Sequence, residues 1–245
     1  MKYSILLLGC LIFITKLYSQ YIEKNNFQFS NGRYDVFILK IDSTLSKRFK
    51  VLENVKSQNE KQLFDDLSGK GIFFAVNAGI VDSACNLLGL FINNSNKIQD
   101  VNLNSGVGNF FLQPNGIIGF GEKGITLKKA IDYAQSENYL CAVQSGPMLV
   151  SNKSINANFD KNSKNKNFRV GAGIYSDNLN QYLVFAISIS KVTFHQFASL
   201  FLEKFNCNNA LNIESGSLCT FHQPSSKRTF NNTLVSCKYL FLQLQ

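Results

Sequence analysis

The hydrophobic positions of this chain fall into short runs broken by Gly, Asn and Ser. They do not form long stretches of helical period. "RYDVFILKID" (33–42) and "KGIFFAVNAG" (70–79) combine β-branched and aromatic residues over the length of a strand, and both are predicted as strands. Between them "KQLFDDL" (61–67) has the spacing of one or two helical turns. "LLGLFINN" (87–94) with the turn at Asn94 to Lys97 predicts one hairpin, and "GNFFLQPNGIIGF" (108–120) predicts a second, turning at Pro114 to Gly116. "TLKKAIDYAQS" (126–136) reads as a helix with Thr126 as its N-cap. "YLCAVQSG", "GPMLVSN", "RVGAGIYS" and "YLVFAISIS" follow as strands, then a helix over about Thr193 to Phe205, then a strand ending in "ALNIESGS" (210–217). The expected fold class is mixed α/β of the α+β kind, with a largely antiparallel sheet and a few packed helices.

The N-terminus sets a boundary. Residues 1–19 carry one early lysine, an apolar stretch from Ile5 to Ile14 and a small residue, Ser19, before Gln20. That is the layout of a signal peptide, with an apolar stretch too short to span a bilayer comfortably. The chain is therefore expected to be exported, periplasmic or extracellular, with a single domain over 20–245 and no transmembrane helix in the mature protein. Lipoprotein anchoring at Cys10, within "LLGC", is the lesser alternative, because apolar residues continue past the cysteine.

Charge and cysteine content narrow the classes further. Loss of Lys2 and Lys16 with no acid takes the net charge from +9 to +7, so the mature surface stays basic and suits anionic partners. Lys161, Lys164 and Lys166 lie in a polar run read as a loop, without the aromatic interleaving of a nucleic-acid surface, so no nucleic-acid partner is expected. Five cysteines remain after cleavage: Cys85, Cys141, Cys207, Cys219 and Cys237. They form no CxxC pair and no zinc spacing, and allow at most one disulfide beside free, buried thiols. "GFGEKG" (119–124) matches a dinucleotide fingerprint in outline, but no acid follows where the ribose would need one. His195 and His222 are the only histidines, and no serine has a nucleophile-elbow context, so neither a Ser-His-Asp enzyme nor a two-His metal site is expected.

The polar interruptions of the apolar runs carry the remaining signal. They are "VNAG" (76–79), "LGLFI" (88–92), "GVGNFFLQPNG" (106–116), "QSGPMLV" (144–150), "FRVGAGI" (168–174) and "ALNIESGS". In this order and spacing they resemble the phosphodiester glycosidase family, in particular its small bacterial branch, and the resemblance covers about Tyr34 to Phe221. It implies a phosphodiester glycosidase-like fold and an exported hydrolase that cleaves the glycosidic bond of a sugar 1-phosphodiester of the N-acetylglucosamine type. The partner implied is a glycan or sugar phosphate.

The residues offer chemistry for that reaction. The leaving phosphate monoester has a second pKa of about 6, so it departs without a strong general acid, and the site needs an anion clamp and an oxocarbenium stabiliser or base. Arg169 is the expected clamp, since guanidinium grips phosphate with two parallel hydrogen bonds. Glu214, a carboxylate at a strand end, is the expected acid/base or oxocarbenium stabiliser, kept ionised by a nearby arginine, with Asn77 as the third catalytic candidate. Gln144, Ser145, Gly146, Gly79, Ser190, Gly216, Ser217 and Asp82 are candidates for substrate binding, with Ser188 near the same rim. No cofactor is expected, and a divalent ion shared with the phosphate is left open. The chain departs from the family pattern at Glu214–Ser215–Gly216–Ser217, where relatives carry Asp-Gly-Ser, and at "NAG" in place of "NGG". A catalytically impaired carbohydrate- or sugar-phosphate-binding relative is therefore the alternative reading.

Overall fold

The computed structural model describes residues 21–53, 65–67, 69–217, 219–223, 228–230 and 238–243. They form three antiparallel sheets. The first has the strand order β1 (Tyr21–Phe29), β2 (Gly32–Ile41), β13 (Gln181–Ser188), β12 (Arg169–Ser176), β14 (Asn209–Ser215), β10 (Met148–Ser151), β11 (Ser154–Ile155). The second runs β16 (Arg228–Phe230), β15 (Phe221–Gln223), β4 (Ile72–Asn77), β17 (Lys238–Gln243), β3 (Phe49–Glu53). The third runs β6 (Asn96–Gln99), β5 (Phe91–Asn93), β9 (Tyr139–Ser145), β7 (Gly116–Gly121), β8 (Gly124–Lys129). The α+β, largely antiparallel class expected from the sequence is the observed one.

The central strands of the first sheet, β2, β13, β12, β14 and β10, are buried on both faces over most of their length, which is why they read as continuous apolar runs. Period-two alternation divides them. Phe37 and Leu39 of β2, with Leu183, Phe185 and Ile187 of β13, join Phe74 of β4, Phe120 of β7 and Leu240 of β17 in one core between the sheets. Tyr34, Val36, Ile38, Val184 and Ala186 point the other way, onto the helix α1 (Phe194–Ser199) and the π-helical turn Leu200–Lys204 that continues it. Thr193 and Gln196 cap α1 reciprocally. The helix sits close because β12 carries glycines beneath it: a Cβ on Gly171 would stand 2.9 Å from the Phe197 ring, and one on Gly173 would stand 2.6 Å from Phe201.

Local expectations fare unevenly. The Asn94 hairpin is present, with Asn94 and Ser95 both at positive φ as a two-residue primed turn requires. The helix expected over 126–136 is instead β8 followed by a 3-10 turn at Ala130–Asp132. Ile125 and Leu127 alternate into the core, and "GFGEKG" is the tight β7–β8 hairpin turn, with Gly124 at φ 110°. The hairpin expected at Pro114 to Gly116 is also absent: Asn109–Phe111 is a 3-10 turn, and β7 starts at Gly116 between β8 and β9. The helical turn expected over 61–67 lies mostly outside the described residues. Cys85 is disulfide-bonded, while Cys141, Cys207 and Cys219 are free and buried.

Candidate functional site

Arg169 opens β12 and is 1% exposed. Burying a guanidinium costs several kcal/mol unless something neutralises it, yet among the described residues Arg169 makes no ion pair. Its backbone N–H donates to Ser188 Oγ (2.7 Å), its Nε to the Val192 carbonyl (3.1 Å) and its Nη1 to Ser215 Oγ (2.9 Å). The guanidinium lies 3.5 Å from the centroid of the Phe194 ring, and that ring stacks on Phe159 at 5.0 Å and 9°. Burial lowers the Arg169 pKa to about 10, so the group remains a cation at neutral pH. These contacts fix the fork and use two of its three nitrogens. The result is an immobile buried cation suited to an anion.

Glu214 closes β14 and is 5% exposed. Burial raises its pKa to about 7, and the hydrogen bond it accepts at Oε1 from the Ser215 N–H (2.8 Å) opposes that only in part. The expectation that an arginine keeps it ionised is corrected by the strand register. Arg169 pairs with Ser215, and Val170 pairs with Glu214, while a register irregularity sets Gly171 opposite Asn212 and leaves Ile213 extra. Cross-strand partners share a face, so Glu214 goes with Val170 into the core between the sheets and Arg169 goes with Ser215 toward Phe194. Buried Cys219 lies within electrostatic reach of both. Burial and the Glu214 carboxylate push its thiol pKa well up, which keeps it protonated.

The other candidates converge on the same strand ends. Asn77, last in β4, is buried, and its Oδ1 accepts from the Thr220 N–H (2.7 Å) and hydroxyl (3.2 Å), tying β4 to the segment that carries Cys219. Ser145, last in β9, donates to the Ile213 carbonyl (2.8 Å) beside Glu214. Gly146 precedes a cis Pro147, and its carbonyl accepts from Asn212 Nδ2 (2.9 Å). A Cβ on Gly79 would lie 3.7 Å from the Ser145 Cβ, so that turn is adjacent too. Gly216 has φ 97° with open space where a side chain would stand, and its N–H donates to the Phe168 carbonyl (2.8 Å). Ser217 is exposed nearby.

Four of the candidates are occupied by the fold. Gln144 is fully buried and spends its amide on Leu90 N and Asn102 N (both 2.9 Å) and on the Asn102 carbonyl (2.6 Å). Asp82 is exposed and caps its own turn, accepting from Ala84 N and Asn86 N (both 2.9 Å). Ser188 accepts from the Arg169 backbone, and Ser190 Oγ accepts from Arg33 N (2.9 Å). Sequence reasoning missed Asn212, whose Oδ1 accepts from Ser215 Oγ (2.9 Å) and so links the Arg169 fork to the cis-Pro147 turn. A fully buried amide interrupting "ALNIE" was the available signal. Cys219, Thr220 and Phe194 gave none. Among the described residues no three His, Cys, Asp or Glu side chains gather as metal ligands.

Comparison with known proteins bears on this geometry. The chain aligns over 62% of its length with YigE, an uncharacterized protein of Escherichia coli strain K12, at 33% identity over 153 residues, and the alignment spans 59% of that protein. The catalytic domain of zebrafish N-acetylglucosamine-1-phosphodiester alpha-N-acetylglucosaminidase, solved auto-inhibited by its pro-peptide, superposes with a TM-score of 0.57 at 15% identity, covering 92% of this chain and 82% of that one. A hypothetical protein from Synechocystis superposes with a TM-score of 0.55 at 13% identity, over 92% and 62% of the two chains. These two show the shared fold. The phosphodiester glycosidase family profile matches residues 70–235, which takes in Asn77, Ser145, Arg169 and Glu214, and the chain belongs to that family.

Proposed function

We propose that this protein hydrolyses the glycosidic bond of a sugar 1-phosphodiester, with Arg169 on the phosphate and Glu214 activating water. The observation that carries the reading is a pair of buried ionisable groups at adjacent strand ends, on opposite faces of the sheet, neither of which makes an ion pair among the described residues. A buried cation without a counter-ion is stabilised by an anionic ligand. The terminal nitrogen of Arg169 that makes no hydrogen bond among the described residues, together with the Ser215 hydroxyl beside the other, suits the phosphate oxygens. A carboxyl with a pKa of about 7 is divided between its two forms at neutral pH, which is where a general base works best. Ionised Glu214 takes a proton from water as the oxygen attacks the anomeric carbon. The bond from that carbon to the bridging oxygen breaks, and the phosphate monoester leaves with the electron pair, its charge held by Arg169.

Asn77, Ser145 and Gly146 set the shape of the sugar side through the turns they fix. The second reading, a sugar-phosphate-binding relative without turnover, is favoured by one contact: Glu214 Oε1 turns back to the N–H of its own neighbour. Incubating the purified protein with UDP-linked N-acetylglucosamine and following release of the free sugar separates the two. Release that rises with pH through about 7 supports the hydrolase. Saturable binding with no release supports the alternative.

A further inference from the structure

The basic loop between β11 and β12 is not used by this chemistry, yet both of its ends are fastened to Arg169. At its start Phe159 stacks on Phe194, the ring that carries the guanidinium. At its end Asn167 forms a two-way backbone bridge with Val192 (3.0 and 2.9 Å), and the Val192 carbonyl is the one that accepts from Arg169 Nε. The loop is thus tethered at both ends to residues that contact Arg169, and its tip lies beyond those tethers. That tip carries Lys161, Lys164 and Lys166, all exposed.

Two further cations meet the same rim. Lys191 precedes Val192 and stands 5.9 Å from the Phe168 ring centroid. Arg33 is held there by its carbonyl, which accepts from Ile189 N (2.8 Å), and by its own N–H, which donates to Ser190 Oγ. Both side chains are exposed. None of these five cations makes an ion pair among the described residues. The acids beside them are fewer: Asp160, which accepts from Asn162 N (2.8 Å), and buried Asp35, which accepts from Asn26 N (2.8 Å). Five cations against these two acids leave the rim with a net positive charge, which raises the local concentration of anions.

We infer that this collar binds the further phosphates of a linear polyanionic substrate, so that the chain acts on repeating sugar-phosphate polymers in preference to a small isolated diester. The inference rests on the phosphodiester reading for the identity of the bond cut at Arg169. Its own content is the polyanion track, which binding measures without turnover. One phosphate sits on the rigid fork, and the next ones along the polymer lie against the loop, where flexible lysines follow a backbone without demanding one sequence of sugars.

The test uses fluorescein-labelled inorganic polyphosphate, titrated with the whole protein and followed by anisotropy at low and physiological salt. The collar variant carries K161Q, K164Q and K166Q, and a second collar variant carries R33Q and K191Q. The control carries K40Q, K47Q and K50Q, exposed lysines at and beyond the opposite end of β2, with Lys40 about 24 Å from Arg33 along the strand. The control loses the same charge as the triple collar variant. We expect polyphosphate affinity to fall about tenfold in each collar variant, with less salt dependence, and to stay within about twofold in the control. Equal losses in the triple collar variant and the control overturn the inference, because net charge alone would then explain binding. Wild-type protein that ignores polyphosphate overturns it too, as does wild type that binds phosphatidylglycerol vesicles in its place. Release of sugar from UDP-linked N-acetylglucosamine, run in parallel, reports on the catalytic reading separately: polyphosphate bound by the collar with no sugar released removes the hydrolase and leaves the track.

Discussion

The two ends of β9 treat buried charge in opposite ways. Beyond its first residue, Glu137 accepts from Lys128 Nζ (2.6 Å), Ala134 N (3.0 Å) and the Tyr139 hydroxyl, which also meets Thr126 Oγ1 at 2.7 Å. Burial pushes the Glu137 pKa up, but these hydrogen bonds outweigh it and leave the carboxyl below its usual range. About 20 Å away, past its last residue, Arg169 and Glu214 are more deeply buried, and each is pushed toward its neutral form. The first end is closed by its own partners. The second has no ion-pair partners of its own among the described residues. A cleft of about 430 Å³, lined by Tyr133, Gln135 and Asn138 among others, opens beside the closed end, away from the residues of the proposed site. The proposed chemistry rests on buried charge and not on concavity.

The largest effect expected from this contrast is kinetic. Glu214→Gln removes a charge and little volume, and turnover of a sugar 1-phosphodiester should fall by about a hundredfold or more. Glu137→Gln should leave turnover within about twofold, and equal losses in the two variants would erase the distinction between the ends.

The next effect is on stability and has a definite sign. Between about pH 4.5 and 7 the unfolded chain ionises Glu214 while the folded chain keeps it protonated, so the folded state binds more protons and stability falls as pH rises through that window. A shift from 4.5 to about 7 corresponds to roughly 3 kcal/mol. Glu214→Gln should therefore stabilise the protein by about that much at pH 8 and by nothing below pH 4, measured by denaturant unfolding. At Glu137 the sign reverses: its contribution is present at neutral pH and is lost as pH falls through its lowered pKa. Glu137→Gln should destabilise at pH 7.

Smaller effects sharpen the comparison at the cation. Arg169→Lys keeps the charge and loses the planar fork and its stacking, so KM should rise by about tenfold to fiftyfold with a smaller change in kcat. An unchanged KM would make Arg169 a structural charge. Phe194→Leu keeps the apolar cover and removes the π face, worth about 1 kcal/mol, so binding of the phosphodiester should weaken about fivefold. Isothermal titration with the substrate's non-hydrolysable phosphonate analogue reads this without turnover.

Strand runs such as "RYDVFILKID" and "YLVFAISIS" were legible because a sheet buried on both faces leaves a long apolar signature. The helix expected at 126–136 shows the limit of that signal: Leu127, Ala130 and Ile131 fit a helical face as well as Ile125 and Leu127 fit an alternating one, and pairing with β7 decided between them. At the site, the sequence marked Arg169, Glu214 and Asn77 by setting polar groups at the ends of apolar runs, and order along the chain indicated the family. It could not say whether the two charges meet. Strict alternation along "LNIE" would turn Glu214 to the face opposite Leu211 and Ile213, toward Arg169. The extra residue at Ile213 returns it to the core face. Register belongs to a pair of strands and not to either one, so only the tertiary structure could decide that the cation and the carboxyl are buried at neighbouring strand ends on opposite faces, with no ion pair among the described residues.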